Sequence, residues 1–259
     1  ILMGAQSVFT NIGAMYLTYV GGWMAAIHWH LNYLVYLYAL IPVILGIIFI
    51  PNDKPAIAAS TAGQEERVSV RSLSRNTWVY GAITFLFMIL YGVHSANVSF
   101  FVEEKSLGSP AVVGTIMAVS TIGGMVGGAT FGFVNRLFKT YTFCAAFILM
   151  AISLFITISA DSLTPVMIGA LVIGCSISWD IPQSMLSITN ENSVEAAAMA
   201  CSVAHIGGQI GNFASSLVMT NITSLFGSTV TFRYSFTAVA CVVMAVITFV
   251  LLKVIKADK

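Results

Sequence analysis

Residues 4–22 read GAQSVFTNIGAMYLTYVGG and form most of an apolar segment that extends to residue 26. Glycine recurs in this stretch at Gly4, Gly13, Gly21 and Gly22. Because glycine has no side chain, it allows the backbones of neighbouring membrane helices to approach closely. The pattern predicts a helix that packs tightly within a bundle, and generic glycine packing and a family motif are both consistent with it.

The composition places the chain in a membrane. Hydrophobic residues make up 58% of the 259 residues and charged residues 8%, whereas charged residues are about a quarter of an ordinary soluble domain. A helix crosses the bilayer core with about 20 apolar residues. Eight windows satisfy this requirement, at roughly 4–26, 33–50, 78–101, 111–134, 141–160, 164–188, 198–222 and 234–252. The alternating segments of membrane β-strands are missing, so the prediction is an all-α, polytopic membrane bundle of about eight helices.

The cysteines and the net charge give no sign of a metal, a cofactor or nucleic acid. All four cysteines lie in apolar windows, without a CxxC pair or a nearby histidine or aspartate at ligand spacing: Cys144, Cys175, Cys201 and Cys241. We expect them to be packing residues. The net charge of +1 does not favour nucleic acid as a partner.

The distribution of positive charge predicts the topology. If residues 51–77 lie in the cytoplasm, nine lysines and arginines fall on that side and two, Lys105 and Arg233, on the other. Lysine and arginine are enriched in cytoplasmic loops of membrane proteins. We therefore expect a multi-pass protein of the plasma (cell inner) membrane, with both chain ends and the loop 51–77 in the cytoplasm.

The glycine run, the number of helices and the position of the longest loop together resemble the major facilitator superfamily of transporters. The run is similar to the antiporter motif in the fifth helix of that family, with Leu17-Thr18 where a Gly-Pro pair is usual. A second similarity links Trp29-His30-Leu-Asn-Tyr33 with Phe232-Arg233-Tyr-Ser-Phe236, each before the last helix of a half. Such halves are a recognised feature of the fold.

The resemblance implies a division of the chain. Residues 1–50 would be the last two helices of an N-terminal six-helix half, 51–77 the central loop, and 78–259 the C-terminal six-helix half. It also implies a truncated fold that begins at the fifth helix and needs the four missing N-terminal helices for transport.

A second motif resembles the cytoplasmic loop signature of the family, in degenerate form. Its residues are Gly132, Asn135, Arg136 and Lys139, with Asn135 where the family has an acid. An equally plain interpretation is that Arg136 and Lys139 anchor a helix end at the cytoplasmic surface.

Asp180 is the only acidic residue inside a hydrophobic window. An acidic side chain in the membrane is costly and normally faces the bundle interior or an aqueous cavity. Burial away from a countercharge favours the protonated carboxyl group, which would let Asp180 exchange a proton and couple it to substrate release. Pro182 follows closely, so a gate or a helix-capping role is an open alternative.

Two groups of polar residues are candidates for a substrate cavity. His205, Gln209 and Asn212 recur at i, i+4 and i+7 and therefore share one helix face, where they would line a cavity or bond to neighbouring helices. His94 and Asn97 share a face of the third window, which the resemblance places beside the cavity. His94 is alternatively a satisfied polar residue near the outer surface.

The resemblance implies a secondary transporter that moves a small organic solute by alternating access, with a proton or another coupling ion. The antiporter-like motif favours proton-coupled export, while an uptake symporter and a non-transporting membrane scaffold or sensor are alternatives. The chain lacks the His-x-x-x-His, paired-acid and Gly-x-Ser-x-Gly patterns of intramembrane enzymes, so we do not expect an enzyme. Scarce intramembrane charge indicates an apolar or weakly charged solute.

Overall fold

A computed structural model of the chain describes residues 2–49, 70, 73–108, 110–226 and 229–257. Its α-helices are α1 (Leu2–Ile27), α2 (Leu40–Phe49), α3 (Arg75–Glu104), α4 (Pro110–Phe138), α5 (Thr142–Ile158), α6 (Leu163–Glu191), α7 (Val194–Phe226) and α8 (Val230–Ala257). Short 3-10 helices span Trp29–Ala39 and Lys139–Tyr141. No strand occurs among these described residues, which confirms the predicted all-α helical bundle.

The chain divides into two compact units. One unit contains Ile1–Met15 and Val70–Lys259, and the other contains Tyr16–Ser69. Most of the expected central loop, residues 51–69 and 71–72, lies outside the described residues, so the predicted division at 51–77 stays a prediction. The first unit holds the residues of the site described below.

Four apolar segments of the described chain are long enough to cross a membrane, and the protein is therefore membrane-embedded. They are Arg75–Glu104, Val112–Ile158, Leu163–Glu191 and Val230–Ile255. The second has 47 residues and covers α4 from Val112 onward together with α5. The chain turns between these two helices at Lys139, whose φ is 52°. The windows predicted at 4–26 and 198–222 do form helices, α1 and α7, but their polar side chains keep both below the hydropathy of these segments.

The window 33–50 is not the single spanning α-helix that we expected. It contains most of the 3-10 helix Trp29–Ala39, followed by α2 with 10 residues, whereas an α-helix needs about 20 to cross the membrane. Ring side chains recur here at every third residue, His30, Tyr33 and Tyr36, which is the period of a 3-10 helix.

Contacts at the helix ends fix the directions of α3, α6 and α8. Asn76 at the start of α3 donates a hydrogen bond of 3.0 Å to Glu191 at the end of α6, so these helices are antiparallel. The carboxylate of Glu104 at the end of α3 accepts a hydrogen bond of 2.6 Å from the amide of Val230. That bond satisfies a free amide in the first turn of α8, and α8 therefore returns along α3.

The helices α4 and α6 run parallel and touch through their backbones. A Cβ atom on Gly123 would meet the carbonyl group of Leu171, and a Cβ atom on Gly174 would meet the carbonyl group of Ser120. A backbone carbonyl held in a helix cannot move aside as a flexible side chain can. Close packing of α4 on α6 therefore requires glycine at both positions.

Gly123→Ala should destabilise the bundle by about 1–3 kcal/mol, because the added methyl group overpacks a backbone contact. Gly114→Ala is the matched control on the same helix, since nothing lies within 4 Å of a Cβ atom there. Reversible unfolding in SDS of the purified protein, as encoded in full, measures both free energies. Equal stability of the two variants would contradict the proximity of α4 and α6.

Candidate functional site

Asp180 is buried in the interior of the first unit next to Thr84 of α3. Its exposed fraction is 0%, and neither carboxyl oxygen has a well-formed hydrogen bond to another group in the described part of the chain. Thr84 of α3 is the polar side chain that interacts with it, yet the Thr84 hydroxyl also lacks a hydrogen bond. No charged side chain among the described residues acts on the carboxyl group. A lone buried carboxylate is costly, and a proton on the carboxyl group removes that charge.

The helix around Asp180 continues without a break. α6 extends past Pro182 to Glu191, so Asp180 lies in a helix interior and does not cap a helix end. Proline has no amide hydrogen, and the carbonyl of Ser178, four residues earlier, therefore lacks its usual intrahelical donor. Such a point is where a helix bends at low cost.

A cleft of about 410 Å³ lies beside this part of α6. We call it the α1–α6–α7 cleft after the helices that form it. Its lining residues are Met3, Gln6, Ser7, Thr10 and Asn11 from α1, Ile177, Ser178, Ile181, Pro182 and Met185 from α6, and His205 from α7. Ser178 and Ile181 face the cleft, while Asp180 between them points into the protein. α6 thus carries the buried acid and a cleft wall on different faces.

The polar residues of α1 in this cleft were missed from the sequence. Gln6, Ser7, Thr10 and Asn11 follow an i, i+1, i+4, i+5 pattern that places them on one helix face. This spacing is the sequence signal that identifies the polar face of α1. Asn11 donates hydrogen bonds to the Ser7 carbonyl (2.8 Å) and to the Ser178 hydroxyl (3.3 Å), so it connects α1 to α6.

The three polar residues of α7 share one face, as their spacing predicts, but they line two different clefts. His205 lines the α1–α6–α7 cleft. Gln209 and Asn212 line another cleft of about 520 Å³ with Gly92 and Ser95 of α3. The Nε2 atoms of His205 and Gln209 lie 3.5 Å apart, which connects the two clefts along α7.

His94 and Asn97 face α8 and do not join the residues of α7. Both are buried, at 1% and 4% exposure. The Asn97 side-chain oxygen accepts a hydrogen bond of 2.7 Å from the guanidinium group of Arg233. The hydroxyl of Tyr234 lies 3.4 Å from Nδ1 of His94. This pair therefore connects α3 to α8, and its predicted place beside a substrate cavity stays a prediction.

The cytoplasmic loop motif lies at the ends of α4 and α6. Asn135 donates a hydrogen bond to Gln183, which in turn donates one of 2.9 Å to Ser187. Lys139 and Asn135 line a further cleft of about 260 Å³ at this end of α6. Arg136 is exposed in the last turn of α4, and Gly132 lies within the same helix.

The antiporter-like glycines have unequal surroundings. A Cβ atom on Gly4 would lie 2.5 Å from the carbonyl oxygen of Gly128, which brings α1 against α4. Among the described residues, nothing lies within 4 Å of a Cβ position on Gly13. Gly21 and Gly22 belong to α1, but their surroundings lie outside the described part of the chain. One glycine of the run, Gly4, therefore has a packing role in the described contacts.

Among the described residues, no group of three or more histidine, cysteine, aspartate or glutamate side chains is arranged to hold a metal ion. No protein-family model matches this chain, and no curated protein is significantly similar to it. The function must therefore be argued from the buried carboxyl group and the cleft beside it.

Asn97→Leu should destabilise the protein by about 1–3 kcal/mol, because it leaves the Arg233 guanidinium without its acceptor. Arg233→Met in the Asn97→Leu background should cost less than in the wild type, by about 1 kcal/mol or more. A double-mutant cycle from SDS unfolding measures this coupling. Additive effects of the two substitutions would contradict the contact between α3 and α8.

Proposed function

We propose that this chain belongs to a secondary transporter of the major facilitator type, which moves a small organic solute across the membrane by alternating access. In this proposal the solute binds in the α1–α6–α7 cleft, a proton binds Asp180, and the proton gradient drives export. The resemblance in sequence supplies the transporter class, and the buried carboxyl group beside a cleft supports it.

The isolation of Asp180 is the observation that carries the proposal. An ionisable side chain within the membrane is expensive, and such residues commonly mark ion or substrate pathways. A purely structural carboxyl group would be expected to have several hydrogen-bond partners, whereas the Thr84 hydroxyl is the one polar side chain among the described residues that acts on Asp180. We infer that the group is kept for an exchange that needs an unpaired carboxyl.

The position of Asp180 on α6 suggests how the ion and the solute are coupled. Loss of the proton would create a charge in a site with no partner, and movement of α6 that brings water to the carboxyl group would relieve this cost. Pro182 makes α6 easiest to bend near Ser178, which is also a wall of the cleft. A single motion of α6 would therefore change both sites.

Asp180→Asn should abolish proton-coupled transport, because an amide of nearly the same shape cannot exchange a proton at physiological pH. The protein, as encoded in full, is reconstituted in liposomes with an imposed pH gradient and an internal pH-sensitive dye. Addition of the lipophilic solute N-phenyl-1-naphthylamine should accelerate collapse of the gradient, since the exported solute returns passively and the cycle repeats. We expect Asp180→Asn to reduce the solute-dependent rate by about tenfold or more.

Asp161→Asn is the matched control, because it makes the same chemical change at a side chain that is 97% exposed. This variant should retain the wild-type rate. Equal solute-dependent rates in wild type and Asp180→Asn would count against coupling at Asp180. A gradient that is insensitive to the solute in all three proteins would count against export of this solute.

A further inference from the structure

The geometry points to an uncharged, amphiphilic solute as the ligand of the α1–α6–α7 cleft, bound with its hydrogen-bonding edge along α1 and its apolar face on α6. This inference rests on the proposed function, because it names the class of solute that the transporter would carry. It concerns binding alone, however, and binding is measurable without an ion gradient.

The described lining of the cleft disfavours a charged ligand on energetic grounds. None of the described lining residues is a carboxylate, an ammonium or a guanidinium group, and His205 is the one imidazole among them. Transfer of an ion from water to a site without a countercharge costs several kcal/mol even after relaxation. A neutral ligand avoids this cost.

The polar edge of the cleft offers open hydrogen-bonding groups. The side chains of Gln6 and Ser7 donate to no group within the described chain, and both line the cleft. Asn11 is already held by its bonds to Ser7 and Ser178. A ligand with a hydroxyl, amine or amide group would therefore bond to Gln6 and Ser7, while Asn11 preserves the shape of the wall.

The opposite wall is apolar and adaptable. Ile177, Ile181 and Met185 of α6 line the cleft, together with Met3 of α1. Methionine is unbranched and polarisable, so it adapts to ligands of different outline. The volume of about 410 Å³ falls in the range of clefts for drug-sized molecules. Size and lining together favour a small amphiphile over a large or fully polar solute.

Another cleft of the same unit shows the contrast. The cleft at the end of α6 is lined by Lys139 and Glu191, together with amide side chains. An ammonium and a carboxylate group therefore line the cleft at the end of α6. The described lining of the α1–α6–α7 cleft contains neither, and this difference distinguishes the two clefts.

Two fluorescent probes of matched structure test the inference. N-phenyl-1-naphthylamine is uncharged, and 8-anilino-1-naphthalenesulfonate has the same ring systems with an added sulfonate. Binding to the protein, as encoded in full, is measured in lipid nanodiscs at pH 8, with empty nanodiscs subtracted. We expect saturable binding of the neutral probe and at least about tenfold weaker binding of the sulfonate, since tenfold corresponds to only about 1.4 kcal/mol.

Variants of α1 locate the binding site. Thr10→Trp fills the cleft with an indole ring and should weaken binding of the neutral probe by about tenfold or more. Phe9→Trp is its control, because the adjacent Phe9 is 73% exposed and does not line the cleft. Gln6→Lys supplies a countercharge and should strengthen binding of the sulfonate, whereas Ala5→Lys, on the neighbouring exposed residue, should not.

Each result supports or overturns the inference. Loss of neutral-probe binding in Thr10→Trp alone, with a gain of sulfonate binding in Gln6→Lys alone, supports it. Equal affinity of the wild type for both probes, no saturable binding of the neutral probe, or unchanged binding in Thr10→Trp overturns it. Binding in the cleft without solute-dependent proton movement would refute the proposed transport and leave the cleft assignment intact. Proton movement without binding in the cleft would support the proposed transport and refute the assignment of the cleft.

Discussion

The backbone contact between α4 and α6 holds α6 in place, and the rest of the first unit depends on the position of α6. Gly123 and Gly174 remove the side chains that would otherwise separate the two helices. With α4 held on one side, α6 can present Asp180 toward Thr84 of α3 and Ser178 toward Asn11 of α1. Asp180 and the cleft therefore lie next to each other because of a contact between helix backbones, in which no functional side chain takes part.

The same bundle buries polar groups in its interior, which lowers its stability. Arg233 donates a hydrogen bond of 2.7 Å to Asn97, and this polar pair holds α3 and α8 together. Asp180 faces the Thr84 hydroxyl and no charged side chain among the described residues, and we interpret this contrast as the difference between a structural polar pair and a group that exchanges a proton. Unsatisfied buried polar groups in native structures call for such an explanation.

Much of the helical architecture follows from hydrophobic windows, because length and hydropathy are local properties of a sequence. The isolation of Asp180 could also be anticipated from its place in an apolar window. The partners of His94 and Asn97 could not, since spacing along α3 gives a shared face but not the helix that covers it. The 3-10 helix Trp29–Ala39 likewise replaced an expected α-helix, because short apolar stretches rich in ring side chains have weak helix preference.

The central claim is that solute in the α1–α6–α7 cleft and a proton on Asp180 influence each other through α6. Calorimetric titration of the reconstituted protein with N-phenyl-1-naphthylamine, in two buffers of different ionisation enthalpy, counts the protons exchanged on binding. Linkage between the two sites is reciprocal, so exchange of solute for proton predicts release approaching about one proton per solute in the wild type. The same titration of Asp180→Asn should show no buffer dependence. Equal heats in both buffers for the wild type, or proton release that persists in Asp180→Asn, would contradict the account.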